Sequence, residues 1–553
     1  MSSLLSPPSV RGGEDSAEIA LKASMEQKPI YINNFTGQAE NPNVGSGVYV
    51  GIDLFTTKTV ARLSRKMQKK SGSVVTDLPI YFTTANNGYI YCQDEAGKIY
   101  VSVNQGDSWS VVTGNSGDDG KGLIVWQDYL FSFTPDDIDI YGPFSGAPSW
   151  TNGWWTDAGG ANQPALSSLV GVNHYPYNDP AQASIMYFCN NNKICSIELS
   201  GSGAAFDPAD SSTYVANESK FVMQDFYNAK VIGYLPPSSI AIGVENRLNA
   251  QADAVIWDGV QNTTAINVVT VPGASNPITQ MITRNGVLYC VTDKEHGVYI
   301  LNGSSAQLVD RLALRMSNRT SGGRQYTTRV SSTVYPSAID FLGPELLTAG
   351  ANFPSPVTQI SGTGLYPYGV WSVNIEPNPY GQGADTGGTG SIGLRFPLSF
   401  GDINANYNTN YAIGAIKVTP ENLVLVGWKK GSTYGIDKLN AEDYISDSNT
   451  VFLESSLYLA GTRLQPRTFN TFQFNLVAPL NAGEETQFYY RKSVGEDYQP
   501  LDVAFTATRL NGELAGVVSS LPFQNARYIQ IAAKIKSGST PNLTPQIRDA
   551  FLL

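Results

Sequence analysis

The segment GYIYCQDEAGKIYVSV (88–103) alternates apolar or aromatic residues with polar ones, breaks at a turn containing Gly97, and then alternates again. Residues two apart on an extended chain share one sheet face, and Gly, Asn or Asp accepts the backbone angles of a tight turn. The segment reads as a β-hairpin. The same pattern returns in DYLFSFTPDDIDIYG (128–142), ASIMYFCNNNKICSIEL (183–199), RLNAQADAVIWDG (247–259), GVLYCVTDKEHGVYIL (286–301) and NLVLVGWKKGSTYGIDKL (422–439). The starts lie 40, 55, 64, 39 and 136 residues apart, and the last gap leaves room for further units, one of them around Trp371–Ile375. Hairpins at this spacing predict an all-β chain built as a β-propeller of about six to eight four-stranded blades. A β-helix or a string of small sandwiches is the alternative.

The propeller is expected over residues 61–445, with long inserted loops. The last hundred residues lose the hairpin repeat: Phe472, Phe474 and Leu476 share a face, and Ile529, Ile531, Ala533 and Ile535 alternate with polar or small residues. Short strands of that kind read as a β-sandwich over 446–553, after a polar boundary at AEDYISDSNT. Residues 1–60 offer one short possible helix, EDSAEIALKASMEQ, and then Asn/Gly/Pro-rich chain, which reads as an assembly arm ordered by a partner.

Only 15% of the 553 residues are charged, against about 25% in ordinary soluble domains. The net charge of −11 is local. Residues 1–70 hold nine basic and six acidic side chains, residues 71–246 hold five Lys, no Arg and eighteen Asp/Glu, and residues 247–553 hold 22 basic and 23 acidic ones. The acidity, −13, therefore sits in one third of the chain, where it either keeps a Gly-rich surface soluble or repels a polyanion. The basic run Arg62, Arg65, Lys66, Lys69 and Lys70 shares one side if helical, as a solvated face or as a contact for an acidic neighbour. LVDRLALRM also reads as a short helix. It opens the arginine cluster Arg311, Arg315, Arg319, Arg324 and Arg329, which suits docking onto the acidic third of another copy in a ring.

No catalytic, cofactor-binding or metal-ligating residue emerges. His174 and His296 are the only imidazoles, and each reads as a loop histidine. Cys92, Cys189, Cys195 and Cys290 are too few for a disulfide framework and read mostly as free thiols. Phosphate-loop, serine-hydrolase elbow, zincin and EF-hand patterns are absent. Asp136, Asp137 and Asp139 could bind calcium, although alternating acids more often protect a strand edge. Glycoside hydrolysis needs only two carboxylates and stays open as the weakest reading. Aromatic residues in YGPFSGAPSWTNGWWTDAGG (141–160) and in 364–393 are expected in loops, as platforms for a sugar ring or protein neighbour, or as inter-blade packing. The expectation is a chain that is not an enzyme. It has no secretory signal and no apolar run near the roughly 18 residues of a membrane span, so it is read as soluble and made in a cytoplasm.

Two resemblances add to this. SVNQGDSW (102–109) resembles the Asp-box of sialidase-like propellers, with Asn104 for Asp and Ser108 for Thr, and that resemblance implies a structural turn. The absence of arginine between Arg65 and Arg247 removes the early blades as donors to a sialidase arginine triad. The strings GVYVGIDLFTTKTVARLSRKMQKKSGSVVTDLPIYFTT, GYIYCQDEAGKIYVSVNQGDSWS, DIDIYGPFSGAPSWTNGWW and TPNLTPQIRDAFLL together resemble tail or minor structural proteins of tailed bacteriophages. That resemblance implies a virion tail component of nozzle or tip type, assembled in the host cytoplasm. Its partners would be copies of itself in a symmetric ring and neighbouring tail or adaptor proteins. DNA would pass without specific binding, and a host surface glycan is a further candidate partner. The alternative is a host-glycan-binding receptor module.

Overall fold

The hairpin quoted first forms as strands Ile90–Asp94 and Ile99–Ser102, with Gly97 at φ +78 in the turn between them. Ile90 lies opposite Ser102 and Cys92 opposite Tyr100. All five residues of the first strand are buried, so packing covers both of its faces. The computed structural model describes most of residues 65–156, 184–311, 335–349, 411–444 and 467–553, with shorter segments at 30–32, 48–56, 61–63, 320–325, 369–375, 392–399 and 452–459. The expected helix at 14–27 and the boundary at 446 lie outside the described residues.

The chain is all-β, built largely from antiparallel sheets that follow one another in sequence. The first sheet is Pro79–Thr84, Ile90–Asp94, Ile99–Ser102 and Ser110–Val112. The second is Gly122–Trp126, Tyr129–Phe133, Asp137–Gly142 and Ser149–Thr156. The described part of the third is Ile185–Asn190, Lys193–Leu199 and Tyr214–Val222. The fourth is Tyr227–Leu235, Ser239–Asn246, Ala252–Trp257 and Asn267–Thr270. The fifth is Ile278–Arg284, Val287–Thr292, Gly297–Leu301 and Ala306–Arg311. The sixth runs Ile339–Leu342, Glu345–Ala349, Val370–Asn374 and Ile392–Phe396. The seventh is Tyr411–Val418, Val424–Lys430 and Thr433–Tyr444, and its fourth strand is Arg65–Lys69 from the other end of the chain.

Each successive pair of sheets shares one apolar core. Ile80 and Tyr91 meet Leu123 and Leu130 between the first and second sheets. Phe133 and Trp155 meet Phe188 and Ile197 between the second and third. Phe221 and Trp257 belong to the core of the third and fourth, and Ile256 and Cys290 to that of the fourth and fifth. Val291 and Trp371 join the fifth to the sixth, and Leu347 and Trp428 the sixth to the seventh. A further core places Leu425 and Ile436 of the seventh sheet against Cys92, Tyr100 and Trp109 of the first. Close approach at this contact requires Gly414, where an added Cβ would sit 2.1 Å from the carbonyl oxygen of Pro79.

The remaining strands form two facing layers. One sheet contains Phe472–Leu476, Ile547–Leu552 and Ala515–Val518, and the other layer, with Glu485–Arg491 and Tyr528–Lys536, continues the sixth sheet through Val48–Ile52 and Phe452–Ser455. Phe472, Phe474 and Leu552 from the first layer meet Phe488, Ile531 and Ile535 from the second in one core. Strands from the expected N-terminal arm join these layers. Ile30–Ile32 pairs with Ile547–Leu552, and Val48–Ile52 bridges Ile392–Phe396 of the sixth sheet and Phe452–Ser455. Tyr489, Tyr498 and Ala532 also enter the core of the fifth and sixth sheets, so the facing layers pack directly on that part of the succession.

Several local expectations change. The basic run is strand, not helix: Ala61–Leu63 and Arg65–Lys69 pair with neighbours, and Met67 is fully buried. Sheet pairing and burial of one face outweigh a weak helical charge pattern. LVDRLALRM begins inside strand Ala306–Arg311, and Leu312–Asn318 lie outside the described residues. In RLNAQADAVIWDG only Ala252–Trp257 is strand, and its hairpin partner is the preceding Ser239–Asn246. Among the described residues the one helix is a single turn, Ala507–Leu510, capped by Thr506, and no helix is long and apolar enough to cross a membrane.

Candidate functional site

The first strands of six sheets converge on one cavity of about 520 Å³. Its walls include Thr83 and Thr84, Ile124 and Val125, Val231 and Ile232, Met281 and Ile282, Ser337 and Asp340, and Ile416 and Lys417. Alternate side chains of these strands enter the inter-sheet cores on either side, as Val231 and Ile232 do, so the strands meet the cavity along their edges. Asp340 and Lys417 are the only charged residues among the described lining, and their Oδ2 and Nζ atoms lie 3.9 Å apart. The Asp340 carboxylate is held by the backbone, accepting from Val418 N at 2.7 Å and Phe341 N at 2.8 Å.

None of the described acidic residues of 71–246 lines this cavity. Asp118, Asp119 and Asp136 are exposed on connections between strands, and others are built into sheets. Asp139 is fully buried and accepts from Gly153 N at 2.7 Å, tying the third strand of its sheet to the fourth. Asp137 accepts from the Thr134 hydroxyl, and burial followed by the charges of Asp139, Asp118 and Asp136 raises its pKa above the usual carboxylate range. Asp94 is buried and receives the Tyr100 hydroxyl at 2.7 Å, and burial raises its pKa against that bond. Asp253 receives Asn246 Nδ2 at 2.8 Å and the Thr270 hydroxyl at 2.7 Å. Asp137 and Asp139 are thus tied into the sheet while Asp136 is exposed in the connection before it, and among the described residues no group of three or more His, Cys, Asp or Glu is placed to hold a metal ion.

The Asp-box-like turn has a positional role that its sequence did not reveal. Asn104 Oδ1 accepts from Ser108 N at 3.0 Å, Gly106 N donates to the Ser102 hydroxyl at 2.7 Å, and Gly106 adopts φ +88. A Cβ at Gly106 would lie 2.7 Å from a methyl of Leu425, so the turn of the first sheet is pressed onto the seventh. Asp107 then pairs with Lys438 at 3.0 Å and lies 3.7 Å from Lys70. Two features separated by most of the chain meet here, and part of the basic run finds its acidic neighbour within its own molecule.

The tryptophan-rich stretch is strand rather than loop. Trp155 is fully enclosed and meets Phe188 edge-on at 5.5 Å; Trp154 is buried and donates its indole N–H to Pro208 O at 3.1 Å. Neither offers a face to a sugar. Trp150 is half-buried against Tyr141 at 5.0 Å. Of the second aromatic segment, Val370–Asn374 is an inner strand with Trp371 fully buried, whereas residues 376–391 lie outside the described residues. His174, His296 and the arginines at 315, 319 and 329 also lie outside them.

All four cysteines are free and buried. Burial raises every thiol pKa, that of Cys290 to about 12, and Asp94 adds to the effect at Cys92. Because the thiolate is the reactive form, the native chain at pH 8 is expected to resist iodoacetamide while denatured chain takes up four equivalents, as read by intact mass. Rapid native labelling of any of the four contradicts this packing.

No family model and no curated protein matches the chain. Among solved structures it is similar to the computationally designed Ika8 protein, at 10% identity and a TM-score of 0.34 over 75% of this chain and all of that one. It is also similar to the extracellular domain of a hybrid two-component system from B. thetaiotaomicron, at 12% identity and a TM-score of 0.40 over 80% of this chain and 46% of that one. A third likeness is to the Mitotic Checkpoint Complex, at 10% identity and a TM-score of 0.39 over 69% of this chain and 95% of that one. At these scores none bears on fold or function here.

Proposed function

We propose that the chain is a seven-bladed β-propeller joined to a β-sandwich, and that it serves as a structural component of a tailed-phage virion, in the tail nozzle or tip. The observation that carries the fold is the run of seven sheets in which the last takes its fourth strand from residues 65–69 and shares a core with the first. An outer strand borrowed from the opposite end of the chain makes ring opening require the loss of both a strand ladder and an apolar core. Tying the sandwich into the sixth blade through Val48–Ile52 favours one stiff block, the property an architectural subunit needs.

The phage assignment rests on the sequence resemblance and on the concentration of −13 in residues 71–246. A cavity of about 520 Å³ has the size of a small-molecule site and excludes duplex DNA, so the conduit in this proposal runs between copies of the chain. Exposed acids such as Asp118, Asp119 and Asp136 would repel the passing polyanion. Mass spectrometry of purified particles, combined with electron microscopy of the isolated protein, tests this. The expected result is stoichiometric presence in the tail and ring-like oligomers. Absence from washed, infectious particles defeats the proposal.

A further inference from the structure

We propose that the cavity between the first strands binds a small neutral saccharide, with Asp340, Lys417 and Asn86 as its polar contacts. The described lining carries one carboxylate and one ammonium, so its net charge selects neither an anion nor a cation. The half-buried Val125 and Ile282 supply apolar surface suited to sugar C–H faces. The lining is more polar than apolar, with Thr83, Thr84, Thr283 and Ser337 beside those side chains, and such polar groups fix ligand orientation.

A hydroxyl both donates and accepts, and two hydroxyls on adjacent ring carbons match an acceptor set beside a donor. Asp340 and Lys417 form such a pair. The carboxylate is pre-oriented by two backbone N–H groups, so no side-chain ordering is needed when a ligand arrives. Lys417 is about a third exposed, and its 3.9 Å separation from Asp340 is too long for a hydrogen bond, which leaves ammonium donors for a ligand oxygen. Asn86 is exposed in the connection after Pro79–Thr84 and adds an amide that can donate and accept.

The test is saturation-transfer NMR on the full chain, using glucose, galactose, N-acetylglucosamine and oligosaccharides released from bacterial surface polysaccharide. Saturable transfer to at least one probe is expected. Lys417→Ala and Asn86→Ala should each weaken it about tenfold while leaving the unfolding midpoint unchanged. Binding of oligosaccharides alone supports the end of a polymer as ligand, and equal binding of monosaccharides supports a free sugar. No transfer from any probe overturns the proposal, as does transfer undiminished in both variants. Virion membership is measured separately on particles, so either idea can fail without the other.

Discussion

Met67→Ala is expected to cost about 2–5 kcal/mol of stability in denaturant unfolding, the range for removing a fully buried methionine side chain. The residue stands near the amino-terminal end, in a stretch rich in lysine, where a surface substitution would change stability by roughly 0.5 kcal/mol or less. The expectation follows from tertiary position. Arg65–Lys69 is the outer strand of the seventh sheet, and Met67 enters the core shared by Leu347, Val370, Val426 and Trp428. Val103→Ala, at a position 60% exposed in the turn after Ile99–Ser102, is the control and should be near neutral. Equal, small effects of the two would show that residues 65–69 do not complete the seventh sheet.

Trp155→Ala is expected to cost about 3–5 kcal/mol, because it empties a large fully buried site between the second and third sheets. Phe188 and Trp154 lose ring contacts at 5.5 and 6.2 Å, and the strands that carry them limit how far the cavity can collapse. Trp150→Ala should cost less, since that ring is only half-buried. A glycan-platform role makes the opposite prediction, with stability unchanged and carbohydrate binding lost at Trp155. Denaturation of the two variants side by side separates the readings.

The strand-forming hairpins were legible because their signals are local. In 88–103, 128–142, 183–199, 286–301 and 422–439, alternation with period two and a Gly, Asn or Asp turn matched the strands that form. RLNAQADAVIWDG was harder, because its first residues are a polar turn and the partner strand precedes it. The tryptophans of 150–155 read as loop because they lie among Gly and Pro. Strand Ser149–Thr156 tolerates Gly153 at φ +60, where pairing with Asp137–Gly142 shifts register.

The candidate site was not legible in this way. Thr83, Ile232, Ile282, Asp340 and Lys417 come from five sheets, and no spacing in the sequence relates them. Asp340 carries no sequence motif of its own. Its significance comes from the N–H groups of Phe341 and Val418, the second of them on another sheet.

The sequence by itself determined the all-β character, the positions of most hairpins and the concentration of acid in residues 71–246, since backbone preference and side-chain alternation act over a few residues. Only the tertiary structure decided that Arg65–Lys69 completes the seventh sheet, that Val48–Ile52 joins Ile392–Phe396, and that the described acids among them stay off the cavity wall. The physical reason is that an unpaired edge and a half-covered apolar face can be satisfied by any compatible strand, and the choice among them depends on which surfaces the whole chain brings together.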